Sequence, residues 1–196
     1  MKLENISKTY SLKDGRAVKV FNNFCLETKP ETVVCITGPS GCGKTTLLNI
    51  IAGLTAPDSG KVIFQGSEKQ PVSYLFQEPR LLPWLNALEN CRLVCGDRER
   101  AEHYLALAGL SHRLTNYPSE LSGGERQRVA FARAFCMDSS VILMDEPFQN
   151  LDKELKKGLA TTFFDILASD RRSVIWVSHD TDLADEYAVF KYSFLR

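Results

Sequence analysis

The chain has 196 residues, enough for one domain or for one domain with a modest insertion. Hydrophobic residues at 44% beside 24% charged ones exclude a disordered chain, and Lys plus Arg balance Asp plus Glu at 24 each, so no net charge favours nucleic acid or an anionic surface. No apolar run has the length of a membrane span, and the opening MKLENISKTY carries Glu4 without an apolar stretch, unlike a secretory leader; a cytosolic protein is expected.

In chain order, a small β region comes first. TVVCIT (residues 32–37) then reads as a buried strand, and KTTLLNIIAGL as a helix capped at Gly53. KVIFQG and VSYLF read as short strands around the turn-rich GSEKQP. After Glu78 the strand signal stops. NALENCRLV and DRERAEHYLALAGL read as helices, and so does GGERQRVAFARAF, with apolar Val129, Ala132 and Phe135 at helical spacing. SVILMD (140–145) and SVIWVS (173–178) are strands separated by the helical KELKKGLATTFFDILA. Alternating strands and helices imply an α/β fold with a mostly parallel sheet. The expected division is one domain over 1–196, with an α/β core at 1–78 and 140–196 and a helical subdomain at 79–139.

GPSGCGKTT fits G-x-x-x-x-G-K-[ST] through Gly38, Gly43, Lys44 and Thr45, directly after a strand and at the opening of a helix. A glycine-rich turn by chance has no reason to sit in that context. Gly38, Gly41 and Gly43 let backbone N–H groups converge on phosphate oxygens, with Pro39, Ser40, Cys42 and Thr46 completing the cradle. Lys44 reaches the terminal phosphates and the Thr45 hydroxyl can ligate Mg²⁺. The core is therefore expected to be a P-loop NTPase of the RecA-like kind.

VILMDEP places Asp145 and Glu146 after an apolar strand, at the end of a parallel sheet where ligands bind. Alone, such a pair reads as a helix start or a loop. Beside a phosphate loop, Asp145 suits Mg²⁺ and Glu146 suits a water. His179 follows the next strand and has no second histidine at metal-ligand spacing, so a structural role competes with a γ-phosphate contact. LSGGERQR repeats the phosphate-holding device in weaker form, with Ser122, Gly123 and Gly124 opening a second helix. The cysteines at 25, 35, 42, 91, 95 and 136 form no C-x-x-C pair, which speaks against zinc or a disulfide framework. Cys42, beside Lys44 at a helix N-terminus, is expected to be the one most readily alkylated.

The order of these motifs (phosphate loop, Gln77 after a strand, LSGGE, LMDEP, Leu151–Asp152, then SHD) resembles the ATP-binding cassettes of ABC transporters over nearly the whole chain. FQEPRLLPWLNALENC further resembles the nitrate/sulfonate/taurine importer branch. The resemblance implies that Glu146 is the general base, His179 the switch histidine and Gln77 the sensor of Mg²⁺ and the attacking water. Thr45, Gln77 and Asp145 would then surround Mg²⁺, and Lys44 the terminal phosphates. Tyr10 would stack on adenine, an ordinary strand tyrosine being its alternative. Ser122, Gly123 and Gly124 would face an ATP held by a second copy in a head-to-tail dimer. The implied ligands are ATP and Mg²⁺. The implied partners are that second copy, an integral membrane permease and an extracytoplasmic substrate-binding protein, with no nucleic acid. The location is cytoplasmic, peripheral on the inner face of the membrane.

EPRLLPWL reads as permease-facing or as core, through Leu81, Leu82 and Trp84. The chain departs from the family pattern at Glu125, where glutamine is commoner, at Gln149, where serine is usual, and in a shorter stretch after His179. A degenerate or regulatory ATP-binding protein, or a soluble ABC ATPase outside transport, are the alternatives. Lys44, Glu146 and His179 argue against the first, and the lack of room for a coiled-coil insertion or a second cassette against the other.

Overall fold

The computed structural model describes residues 1–64, 71–149, 153–179 and 181–194. An antiparallel hairpin of β1 (Lys2–Ser11) and β2 (Ala17–Glu27) opens the chain, closed by a turn in which Gly15 takes φ 84°. β3 (Val33–Thr37) leads through the glycine-rich loop into α1 (Lys44–Ile51), and Gly53, at φ 71°, donates its N–H to Ile50 O as the helix stops. β4 (Ser59–Ile63) and β5 (Val72–Leu75) follow. Then come α2 (Ala87–Cys95), α3 (Arg98–Leu107), a 3₁₀ turn at Pro118–Glu120 and α4 (Gly123–Cys136). The chain returns through β6 (Val141–Asp145), α5 (Lys153–Asp170), β7 (Ser173–Val177), α6 (Thr181–Tyr187) and β8 (Phe190–Ser193).

The central sheet is wholly parallel, in the order β5-β6-β7-β3-β8. Covered on both faces, β3, β6 and β7 carry nearly continuous apolar runs, as buried parallel strands must. Their alternation sorts two cores. Cys35, Ile142, Met144, Val174 and Trp176 meet α4 and α5 through Phe131, Phe135 and Phe163, while Ile36, Leu143, Ile175 and Val177 meet α1 and the hairpin through Leu47, Leu48, Leu3 and Phe21. α2, α3 and α4 share a third apolar cluster around Leu88, Leu105, Val129 and Cys136.

β4 differs from the expectation of a strand in the βα alternation: it pairs antiparallel with β1, making a second sheet, β2-β1-β4. SGKVI offers only Val62 and Ile63 as apolar residues, too few for a strand covered on both faces. α6 and β8 were not foreseen, being too short to show a period. Most of the GSEKQP loop lies outside the described residues.

Candidate nucleotide site

Parallel registers set Ile36 and Asp145 both opposite Val177, so β3, β6 and β7 end level with one another. Three loops therefore meet at one edge of the sheet: residues 38–43, 146–149 and 178–179.

The first is shaped by its glycines and by β2. Gly43 is the N-cap of α1 at φ 105°, and a Cβ there would lie 2.3 Å from Val20 Cγ1, so any other residue is strained and forces Val20 to shift. Lys44 is 5% exposed; its Nζ donates to the carbonyls of Gly38 at 2.8 Å and Pro39 at 3.1 Å, and lies 4.0 Å from Glu146 Oε1. Pro39, Ser40 and Gly41 are exposed, whereas Cys42 and Thr46 are half-buried. Tyr10 pairs with Val18 at the hairpin end, two residues from the Val20 that abuts Gly43. Its ring is exposed, with Lys8 Nζ 5.4 Å from the ring centre.

Thr45 Oγ1 donates to Asp145 Oδ1 at 3.1 Å, joining the start of α1 to the end of β6. Asp145 is buried, and burial first, with the Glu146 charge adding to it, pushes its pKa above the ordinary carboxylate value against the pull of the Thr45 bond. The donors on offer, the Thr45 hydroxyl, one buried carboxylate and the Gln77 amide, provide hard oxygens. That set suits a Mg²⁺ arriving with phosphates. Among the described residues no three His, Cys, Asp or Glu side chains form a protein-only metal cage.

Glu146 takes φ 46°, a left-handed conformation that costs a non-glycine residue about 1–2 kcal/mol. Its N–H donates to Val177 O at 3.0 Å, which fixes the turn. Glu146 Oε2 lies 3.0 Å from His179 Nδ1, so the carboxylate stands between His179 and Lys44. Gln77 is exposed just after β5 and donates Nε2 to Gln149 Oε1.

Ser122 and Gly123 are exposed and Gly124 half-buried at the start of α4. Ser122 Oγ accepts the Glu125 N–H at 3.2 Å and Glu125 Oε2 accepts the Ser122 N–H at 2.8 Å, a closed capping box. Arg113 Nε adds a bond of 2.9 Å to Glu125 Oε1. The bonds from Ser122 foremost, with Arg113 behind them, hold the Glu125 carboxyl down at about 2. Thus the Glu125 departure has a local reason. The structure brings Thr45, Asp145, Lys44, Glu146 and His179 together. Among the described residues no hydrogen bond or ion pair joins Ser122–Gly124 to residues 38–46. Leu151 and Asp152, and the aspartate of SHD, lie outside the described residues.

Three residues escaped the sequence reading. Buried Gln127 donates Nε2 to Pro147 O at 2.9 Å, and Arg133 donates to Pro79 O at 2.8 Å and Arg80 O at 2.9 Å, so α4 grips both neighbouring loops. Tyr74 donates its hydroxyl to Asn49 Oδ1 at 3.2 Å; burial first and the Asp145 charge second push its pKa up. Polar residues inside an otherwise apolar helix face were the available signal for the first two; Tyr74 gave none. EPRLLPWL divides: Leu81 packs on the core, Leu82 is half-buried and Trp84 is 69% exposed.

Comparison with known proteins agrees with this geometry. The ABC transporter family model matches residues 21–149. The lipoprotein-releasing system ATP-binding protein LolD 1 of Rhodopirellula baltica is 38% identical, over 94% of this chain and 89% of that protein. The aliphatic sulfonates import ATP-binding protein SsuB 1 of Rhodococcus jostii is 43% identical, over 86% of this chain and 70% of that protein. Among solved structures, the dimeric post-hydrolysis state of the ATP-binding cassette MJ0796, bound to ADP and Pi, superposes with a TM-score of 0.89 at 30% identity, covering 98% of this chain and 93% of that one. A phosphate loop, a strand-end carboxylate pair and a helix opened by Ser-Gly-Gly are carried on a fold shared over nearly the whole chain: this chain belongs to the ABC transporter family and is an ATP-binding, ATP-hydrolysing cassette.

Proposed function

We propose that the chain hydrolyses MgATP in a head-to-tail pair of its own copies and thereby drives solute import through a separate membrane permease. The observation that carries the chemistry is the Glu146 carboxylate held between Lys44 and His179 at the mouth of the phosphate loop. Phosphoryl transfer needs positioning and charge neutralisation more than covalent help. Lys44 and the loop N–H groups bind and neutralise the terminal phosphates. Glu146 accepts the proton of the attacking water, and His179 orients that carboxylate through Nδ1 and faces the γ-phosphate. Thr45, Asp145 and Gln77 would hold Mg²⁺, which when bound would supply charge neutralisation to the phosphates. Tyr10 offers its face to adenine.

Residues 1–78 with 140–196 form the nucleotide-binding core in this reading, and 79–139 the helical subdomain that presents Ser122, Gly123 and Gly124 to the ATP of the second copy. The second copy is supported by the dimeric relative of known structure. Exposed Trp84, with Leu93 and Val94 on α2, supplies an apolar surface for the permease. That docking would hold the chain at the cytoplasmic face of the membrane; no described helix is long and apolar enough to cross one. An extracytoplasmic binding protein would deliver the solute. Likeness to the sulfonate importer's cassette favours the nitrate/sulfonate/taurine branch, while likeness to a lipoprotein-releasing cassette over more of the chain supports release as the second reading.

Glu146→Gln tests the chemistry. It should keep nucleotide affinity and lose turnover by at least ~10²-fold, the scale of a removed general base. Near-normal hydrolysis by the purified variant would take Glu146 out of the mechanism.

A further inference from the structure

The side chain of Gln149 closes a ring of contacts. Arg133 on α4 holds the loop that follows Gln77, at Pro79 and Arg80, while Gln127 on the same helix holds the turn that follows Glu146, at Pro147. The Gln149 N–H donates to Glu146 O at 3.1 Å and completes that turn. Gln149 Oε1 then accepts from Gln77 Nε2. The two loops are tied through α4 and again, amide to amide, across the site.

The direct tie has a chemical consequence. A glutamine amide has a donor end and an acceptor end, and its terminal torsion is broad and roughly two-fold. Nothing intrinsic to Gln77 decides which end faces the nucleotide. A hard divalent cation accepts only the oxygen. By taking Nε2, the Gln149 carbonyl leaves Oε1 as the end that Gln77 presents. A serine at 149 has its oxygen on Cβ, well short of where the Gln149 amide now meets Gln77.

We propose that Gln149 is a positioning residue: it sets the orientation of the Gln77 amide and joins the Gln77 loop to the Glu146 turn. The inference rests on the reading that Gln77 serves the cation and the attacking water.

The test uses the full chain with Gln77→Leu, Gln149→Leu, the double variant and Gln149→Glu, which keeps an acceptor at the same reach. Steady-state hydrolysis gives kcat and KM. Mn²⁺ titration, followed by electron paramagnetic resonance with ATP bound on a Glu146→Gln background, gives cation affinity without turnover. Loss of one hydrogen bond predicts for Gln149→Leu a fall in kcat of about tenfold and a weakening of Mn²⁺ of about fivefold, with KM for ATP within about twofold. Gln149→Glu should recover both to within about threefold, and the double variant should be no worse than Gln77→Leu, because the two residues act through one contact. If Gln77→Leu impairs Mn²⁺ binding while Gln149→Leu does not, or if the two losses multiply, the inference fails and the reading of Gln77 stands. If Gln77→Leu changes neither quantity, that reading fails and takes the inference with it.

Discussion

α1 and α4 both begin at glycine-rich turns, and the chain treats them in opposite ways. At α1 no side chain caps the helix; the N-cap is a left-handed glycine pressed against β2, and the adjacent lysine is buried over the loop's own carbonyls. Folding alone accounts for Gly43. At α4 a serine and a glutamate satisfy each other, and Gly123 has neither a left-handed φ nor a crowded Cβ, which would come no nearer than 4.0 Å to Arg126 Nη2. Among the described residues nothing requires glycine at position 123. A glycine at 123 that these contacts do not need is explained by close approach from outside, here the proposed ATP of a second copy.

The comparison breaks most visibly at association. Gly124→Asp should leave nucleotide binding to the isolated chain intact, because Gly124 is no part of its own phosphate loop. It should weaken ATP-driven pairing by roughly 10²-fold or more, since a carboxylate would face a γ-phosphate. Lys44→Ala should instead lose nucleotide affinity. In a mixture of the two, one site of the mixed pair carries both lesions and the other none, so association should exceed that of either variant alone. Light scattering on a Glu146→Gln background reads this directly. Parent-like pairing by Gly124→Asp would reduce LSGG to a helix cap.

Folding sharpens the same contrast. Gly43→Ala adds a left-handed strain and a methyl 2.3 Å from Val20, and should lower unfolding free energy by about 2–4 kcal/mol. Gly123→Ala enters helical backbone with room to spare and should be neutral or stabilise by up to about 1 kcal/mol, while ATP-driven pairing weakens. Denaturant melts of both decide it: a Gly123→Ala variant destabilised as much as Gly43→Ala would mean that folding needs both glycines.

How much could be read beforehand follows the same line. The phosphate loop was legible because backbone geometry dictates its glycines locally, and Asp145 and Glu146 because an apolar strand announces its own end. Gln127, Arg133 and Tyr74 were not, since their partners Pro147, Pro79 and Asn49 come from other elements and depend on how α4 and β5 pack. The sheet chosen by β4 was hidden for the same reason, its partner β1 being set by non-local pairing. Glu125 was legible but undervalued: Ser-x-x-Glu before an apolar helix is itself a capping box.

Glu125 gives the smallest effect and a pH signature. Its carboxyl lies at about 2 in the folded chain against an ordinary value of 4.5. The unfolded chain therefore takes up the proton first, and the ionised group stabilises the fold fully above about pH 4.5 and progressively less as pH falls towards 2. Glutamine at this position can still reach the Ser122 N–H, so Glu125→Gln removes the charge and the pairing with Arg113 while sparing the box. The variant should unfold at slightly lower denaturant than the parent at pH 6. That gap should shrink below pH 4.5 and close near pH 2, provided urea, which leaves charges unscreened, is the denaturant. A gap that stays constant from pH 6 to 2.5 would show that the carboxylate's charge does not stabilise this helix end. The turn at α4 would then be held by neutral hydrogen bonds alone, and Glu125 would differ from the commoner glutamine in nothing that folding can feel.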